Sequence, residues 1–269
     1  MLRNVNNENT VAIHITEACN LACPGCYSHF YSNSRRPNPE RQIKQLRKLN
    51  PDYITLYGGE PLCEADGVRR ILEEFPNKKF ILHTNATLPP DQYSDIFERV
   101  EIIFFTIESF RYDAQPPGRT LEPDEFMNML SSLLLYGDKG MIIHNVYPKF
   151  NDPQFYLQAR GANIPYATYP IIAPTDFCNI NERDFANLRI LPEPLVKPKR
   201  RVLVDGTVTR DMRGVYNEVD ELPCHEKCLS CEVGRLCPYF SMFPHFVKDY
   251  LETNENHWFC EVTKKFTRN

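Results

Sequence analysis

The chain has 269 residues, 42% of them hydrophobic and 25% charged, and 31 Lys+Arg against 35 Asp+Glu leave a net charge of -4. That composition is globular, lacks the basic surplus of a dedicated nucleic-acid binder, and contains no apolar stretch approaching the roughly 18 residues of a membrane span. The start MLRNVNNENTVAIHI lacks the basic, apolar and small-residue succession of a secretory signal, so a cytoplasmic protein without a membrane partner is expected.

Apolar runs rich in β-branched and aromatic residues alternate with segments of helical pattern, the mark of βα units and a parallel sheet. Strands are expected over 11–16, 53–57, 79–83, 101–107, 141–146 and 166–172, and helices over 39–48, 65–74, 90–99, 122–136 and 153–160. Asn38-Pro39 and Asp152-Pro153 are helix-start signals, a cap residue followed by a first-turn proline. Six units are too few to close an eight-stranded barrel. The expected fold is therefore α/β, a partial (β/α)6 TIM-like barrel open at one side, with ligands beyond the carboxyl ends of its strands. Asn145, Tyr147, Tyr169 and Asp176 are candidates for lining its cavity, and the loop 111–121, with Pro116-Pro117-Gly118, is long enough to cover the mouth.

After Pro174 the prolines of Leu191-Pro192-Glu193-Pro194 and Pro198, with the basic run from Lys197 to Arg201, read as a solvated linker. Asp205-Gly206 between apolar runs then signals a β-hairpin over 201–210. The division expected is residues 1–185 for the barrel and 186–269 for linker and small extension.

Ten cysteines in a reducing compartment point to metal ligation rather than disulfides. Cys19, Cys23 and Cys26 form CxxxCxxC directly after the first strand, while Cys224, Cys228, Cys231 and Cys237, with Cys260, crowd the other end. Thiolates suit iron-sulfur clusters and zinc. Three close thiolates leave one metal site open, whereas a closed zinc site wants a fourth ligand, for which His14 or His29 stands nearby in sequence. Zinc is also the alternative for the tail, since CxxC suits zinc ribbons. Cys63 and Cys178 read as small buried hydrophobes. After the second strand, Gly58 and Gly59 would let backbone approach a ligand closely, and Glu60 offers a carboxylate to an ammonium group.

CxxxCxxC after strand one and Tyr57-Gly58-Gly59-Glu60-Pro61 after strand two together resemble the radical S-adenosylmethionine (SAM) superfamily. The resemblance implies a [4Fe-4S] cluster held by Cys19, Cys23 and Cys26, with SAM chelating the remaining iron. It also implies reductive cleavage of SAM to a 5′-deoxyadenosyl radical that abstracts hydrogen from a substrate. Asn85 in His83-Thr84-Asn85-Ala86-Thr87 resembles the family's TNG-type turn, with Ala86 for glycine, and Glu108 stands where relatives contact ribose. Many relatives carry an aromatic residue just before the third cysteine; here that position is Gly25 and Tyr27 follows instead, so Tyr27 joins Gly58, Gly59, Glu60, Asn85 and Glu108 as a cofactor-binding candidate. The tail resembles a SPASM extension in which Cys228, Cys231, Cys237 and Cys260 hold one auxiliary [4Fe-4S] cluster, with Cys224 as an alternative to Cys260. The inner SPASM cluster is missing, because Arg210, Asp211 and Ser241 stand where its cysteines would be.

These features imply a SAM-cleaving, oxidoreductase-like enzyme, the auxiliary cluster suiting it to oxidation. Dehydrogenation or cross-linking of a peptide or protein side chain is the leading expectation, radical modification of a small molecule, sugar or nucleotide the next, and a non-enzymatic iron-sulfur carrier or zinc interaction module the alternative from another class. The implied partners are the substrate, an electron donor such as flavodoxin or ferredoxin, and a separate substrate-recognition protein.

Overall fold

Residues 9–23, 26, 37–116, 119–146, 152, 154–170 and 200–209 are described by a computed structural model. In chain order they form β1 (Thr10–His14), α1 (Pro39–Leu49), β2 (Tyr53–Tyr57), α2 (Ala65–Glu74), β3 (Lys79–Thr84), α3 (Ser94–Arg99), β4 (Ile102–Thr106), α4 (Pro123–Tyr136), β5 (Gly140–Val146), α5 (Phe155–Gly161), β6 (Tyr166–Pro170), β7 (Arg200–Val202) and β8 (Val208–Thr209). The six alternating units appear where hydrophobic periodicity puts them. Short 3₁₀ turns, Pro61–Glu64 and Pro90–Tyr93, lead into α2 and α3. Asn38 caps α1 by accepting the Arg41 N–H at 3.0 Å, with Pro39 behind it, while Glu125 in the first turn of α4 accepts the Glu122 N–H at 2.9 Å.

The sheet runs β6-β5-β4-β3-β2-β1-β7-β8, and every neighbouring pair is parallel except β7 with β8. It does not close. Six parallel strands were expected; the structure adds β7, parallel to β1 with Ala12 opposite Arg201. The hairpin reading of 201–210 is correct locally: Gly206 has φ +77° and its N–H bonds Leu203 O at 2.8 Å. Its first strand nevertheless extends the barrel sheet. Gln42 of α1 holds it there, its side-chain amide donating to both His14 O (2.7 Å) and Leu203 O (2.8 Å). Arg200 and Arg201, assigned to a solvated linker, are thus strand residues.

Side chains alternate between two faces, as the pleat requires. Val11 and Ile13 of β1, Ile54 and Leu56 of β2, Phe80 and Leu82 of β3, and Ile103 and Phe105 of β4 pack outward among helix residues such as Leu46, Ile71, Phe97 and Met129. Tyr53, Ile81, Ile102, Phe104, Met141 and Ile143 form a separate inward cluster. No helix among the described residues is long and apolar enough to cross a membrane.

On β5 the pattern includes a buried imidazole. His144 stacks on Phe155 with ring centroids 3.6 Å apart, and burial lowers its pKa to about 3; burial and the Arg201 charge do the same for His83. A histidine kept neutral in the folded state contributes stability that is fully present above its unfolded value near 6.5 and is lost as pH falls toward about 3, at about 1.4 kcal/mol per pH unit for each group. His144→Phe is expected to lower the slope of unfolding free energy against pH by about that amount across this window, measured by denaturant titration at several pH values; an unchanged slope would mean that His144 is protonated in the fold.

Candidate functional site

The cysteine loop leaves the carboxyl end of β1 and passes directly over the turn that follows β2. Gly59 N donates to Thr16 O and Glu60 N to Ala18 O, both at 2.8 Å. A Cβ on Gly58 would lie 2.2 Å from Thr16 O and one on Gly59 2.1 Å from Ala18 O. Gly58 also has φ +152°, a conformation that side chains resist. These glycines bring the β2 turn against the cysteine loop, and the two motifs are one packed unit.

Glu60 anchors that unit to β3. Its carboxylate is 1% exposed; one oxygen accepts Leu62 N–H (3.1 Å) and the Thr84 hydroxyl (3.0 Å), the other the Asn85 N–H (2.7 Å). Burial raises its pKa to about 7 despite these donors. The carboxylate assigned to a ligand ammonium is thus engaged by the protein's own turns. Asn85 links the same turn to the cysteine loop: its side-chain amide donates to Asn20 Oδ1 at 2.9 Å and to Cys19 Sγ at 3.8 Å, while its oxygen accepts Thr87 N–H and hydroxyl. Asn20 in turn donates to Thr87 Oγ1 at 2.8 Å. Ala86 takes φ +60°, the left-handed conformation for which relatives use glycine. N–H donors directed at thiolate sulfur stabilise the deprotonated ligand and tune a cluster. Asn85→Ala is accordingly expected to load iron but to lose it to a chelator faster than the parent protein; equal loss rates would contradict the role given to the amide.

Below the loop lies a buried ion pair. Glu108, just past β4, and Arg119, from the loop before α4, have side chains 1% exposed and are in direct contact. Asn145 donates to Glu108 Oε1 at 3.1 Å and Arg119 donates to Thr106 O at 2.8 Å. Cys23 feels both charges, and burial, its largest influence, pushes its thiol up to about 12; a metal bound there displaces a proton. Burial raises the Glu108 pKa against the opposing Arg119 charge. The loop expected to cover the mouth is thus pinned at its Arg119 end, with Leu121 also buried.

Cys19, Cys23, Cys26, Gly58, Gly59, Glu60, Asn85 and Glu108 come together at the carboxyl ends of β1 to β4. Tyr27, Tyr147, Asp176, Cys178, His29, Cys224, Cys228, Cys231, Cys237 and Cys260 lie outside the described residues. Cys63 is exposed rather than buried, although Pro61 and Leu62 of the same 3₁₀ turn are buried. His14, considered as a zinc ligand, is on β1 with its ring 4.0 Å from that of Tyr57. Asn20, Thr84 and Arg119 were not anticipated; polar residues within motif loops are a signal for the first two, and Arg119 carries none. Among the described residues no three His, Cys, Asp or Glu side chains converge on a point that one metal ion would fill. A cubane takes each thiolate on a different iron, and the donor set of three partly accessible thiols with N–H groups directed at Cys19 fits it.

An unclosed parallel α/β sheet whose strand ends gather a three-cysteine loop sets soft metal ligands where α/β barrel enzymes carry their active sites. The profile of the radical SAM superfamily matches residues 13–156, and the chain belongs to that superfamily of SAM-cleaving enzymes. Membership implies a [4Fe-4S] cluster and SAM. The chain is 24% identical over 165 residues to the uncharacterized protein MJ0804 of Methanocaldococcus jannaschii, a match covering 59% of this chain and 54% of that one; it thus spans about half of that relative's length. Among solved structures it resembles Streptococcus suis SuiB, with TM-score 0.53, 11% identity and coverage of 90% of this chain and 68% of that one. The form of SuiB bound to its precursor peptide SuiA gives TM-score 0.55 at 11% identity, covering 95% and 70%. At these identities the likeness is one of fold.

Proposed function

We propose that the protein cleaves SAM reductively and oxidatively modifies a peptide or protein side chain, by dehydrogenation or cross-linking. The observation that carries this reading is the backbone lock between the cysteine loop and the Gly58-Gly59 turn at the open barrel mouth. Cys19, Cys23 and Cys26 hold the [4Fe-4S] cluster, leaving one iron for SAM. The chemistry supplied by the bound cluster and SAM is homolysis of the sulfonium C–S bond and removal of a hydrogen atom from substrate. Gly58 and Gly59 keep the β2 turn tight against the cysteine loop, and Glu60 holds the β3 turn in place. Asn85 directs an N–H at Cys19, and the buried pair of Glu108 and Arg119 sets the charge environment of Cys23. Tyr27 is assigned to the adenine side and Glu108 to the ribose side of SAM.

Cys228, Cys231, Cys237 and Cys260 are assigned to an auxiliary [4Fe-4S] cluster, which suits an oxidative outcome, with a flavodoxin or ferredoxin as electron donor in the cytoplasm. Support for a peptide substrate comes from the shared fold with SuiB, whose structure was solved with its precursor peptide. Anaerobic incubation of the reconstituted protein with reductant, SAM and peptides encoded beside its gene tests the reading. Formation of 5′-deoxyadenosine together with a peptide lacking two hydrogens supports it. Formation of 5′-deoxyadenosine with every such peptide unchanged, while a small molecule is consumed, overturns the peptide assignment.

A further inference from the structure

The lower inward face of the barrel is filled by the apolar cluster of Tyr53, Ile81, Ile102 and Met141, but the layer above it is polar. His14, Tyr57 and His83 occupy the inward positions at successive strands β1, β2 and β3, and Arg201 of β7 reaches the same layer from the other side of β1. The Arg201 Nη1 donates to the Tyr57 hydroxyl at 2.5 Å and its guanidinium carbon lies 5.2 Å from the Tyr57 ring centroid. Ring centroids of Tyr57 and His83 are 6.0 Å apart, and Phe104 closes the row 4.6 Å beyond His83. Tyr57, His83 and Arg201 each keep partial exposure although they face inward, so among the described residues this layer is not filled.

The electrostatics are one-sided. His83, with its pKa lowered to about 3 by burial and the Arg201 charge, is neutral at physiological pH, and burial holds the Tyr57 hydroxyl protonated. Arg201 is therefore the fixed charge of the row. Its Nε is buried without a hydrogen-bond partner, and among the described residues no carboxylate lies within ion-pair distance of its guanidinium. A buried guanidinium N–H left unspent is costly unless an oxygen acceptor completes it. Its planar fork matches two oxygens of a carboxylate or phosphate.

We propose that Arg201, with Tyr57 and His83, anchors an anionic oxygen group of the substrate, a carboxylate or phosphate, inside the barrel beneath the Gly58-Gly59 turn. This rests on the SAM-cleaving reading, since it concerns the substrate of that same barrel. Tyr57 directly precedes Gly58, so an anion held here directs the rest of the substrate up toward the cysteine loop. Fixing one end of a molecule in this way supplies the orientation that hydrogen abstraction needs.

Equilibrium dialysis of the full chain with inorganic phosphate, and separately with a short peptide carrying one glutamate, tests the anchor and distinguishes the two sources of anion. Saturable binding of one probe, weakened about tenfold or more in Arg201→Gln and less in Arg201→Lys, is expected, because a charged bidentate contact is lost in the first and only the fork in the second. Tighter binding of the peptide identifies a carboxylate, tighter binding of phosphate a phosphoryl group. Absence of saturable binding, or equal binding by the parent and Arg201→Gln, overturns the proposal. Should Arg201→Gln fail to fold by circular dichroism, Arg201→Lys decides alone, and unweakened binding there overturns it. Release of 5′-deoxyadenosine by the parent protein is measured in parallel. SAM cleavage without anion binding rejects the anchor and leaves the SAM reading standing, whereas anion binding without SAM cleavage rejects the SAM reading and with it a substrate role for Arg201.

Discussion

Gly59→Ala is expected to yield a folded protein that retains little iron at the N-terminal loop and forms no measurable 5′-deoxyadenosine. The methyl group would sit 2.1 Å from Ala18 O and 2.8 Å from Glu17 O. Both neighbours are backbone, so no rotamer relieves the clash, and the cysteine loop must move by about an ångström to restore contact distance. Displacement on that scale costs on the order of 100-fold in a step that depends on oriented groups. It also breaks the Gly59 and Glu60 N–H bonds to the loop. Gly161→Ala is the matched control, since nothing lies within 4 Å of a Cβ there, and it is expected to load iron as the parent does. Iron quantification and SAM turnover on the two variants check the expectation. Full activity in Gly59→Ala would mean that the two loops are not packed as observed.

Arg119→Met is expected to destabilise the protein by about 3–5 kcal/mol, because Glu108 would keep a buried carboxylate without its cation. The penalty arises from the orphaned charge rather than from the loss of an attraction. Adding Glu108→Gln should therefore recover most of it, the amide still offering an oxygen to Asn145. Denaturant melts of both single variants and the double variant measure this. Additive losses would show that the pair is not coupled. Because the charges of the pair act on Cys23, Arg119→Met should also reduce iron retention, and the double variant should restore part of it.

Hydrophobic periodicity located the six βα units because each face of a parallel strand is covered by a different layer, and apolar residues at positions such as Ile54, Leu56, Phe80 and Leu82 declare that burial. The cysteine and glycine motifs were legible for a related reason, since both fall at strand ends where few residues are free to vary without disturbing backbone contacts. Partner choice was not legible. Nothing local in Arg200 to Val202 says that this strand lies against β1, because alternation specifies a face and not a neighbour. Arg119 was hidden in the same way: its value depends on a carboxylate brought to it by the fold. Gly58 and Gly59 declared a need for close approach in the sequence, but the neighbour the structure shows there, the backbone of the cysteine loop, was not legible. The burial of Glu60 likewise depends on Thr84 and Asn85 arriving from β3.

The most direct test is electron paramagnetic resonance of the anaerobically reconstituted, dithionite-reduced protein before and after SAM is added, on the parent and on a variant with Cys19, Cys23 and Cys26 replaced by alanine. A reduced [4Fe-4S] signal whose shape changes with SAM in the parent, and which is missing from the triple variant, is the predicted result. A parent spectrum that is indifferent to SAM, or a SAM-responsive signal that survives removal of all three cysteines, would contradict the assignment of this loop.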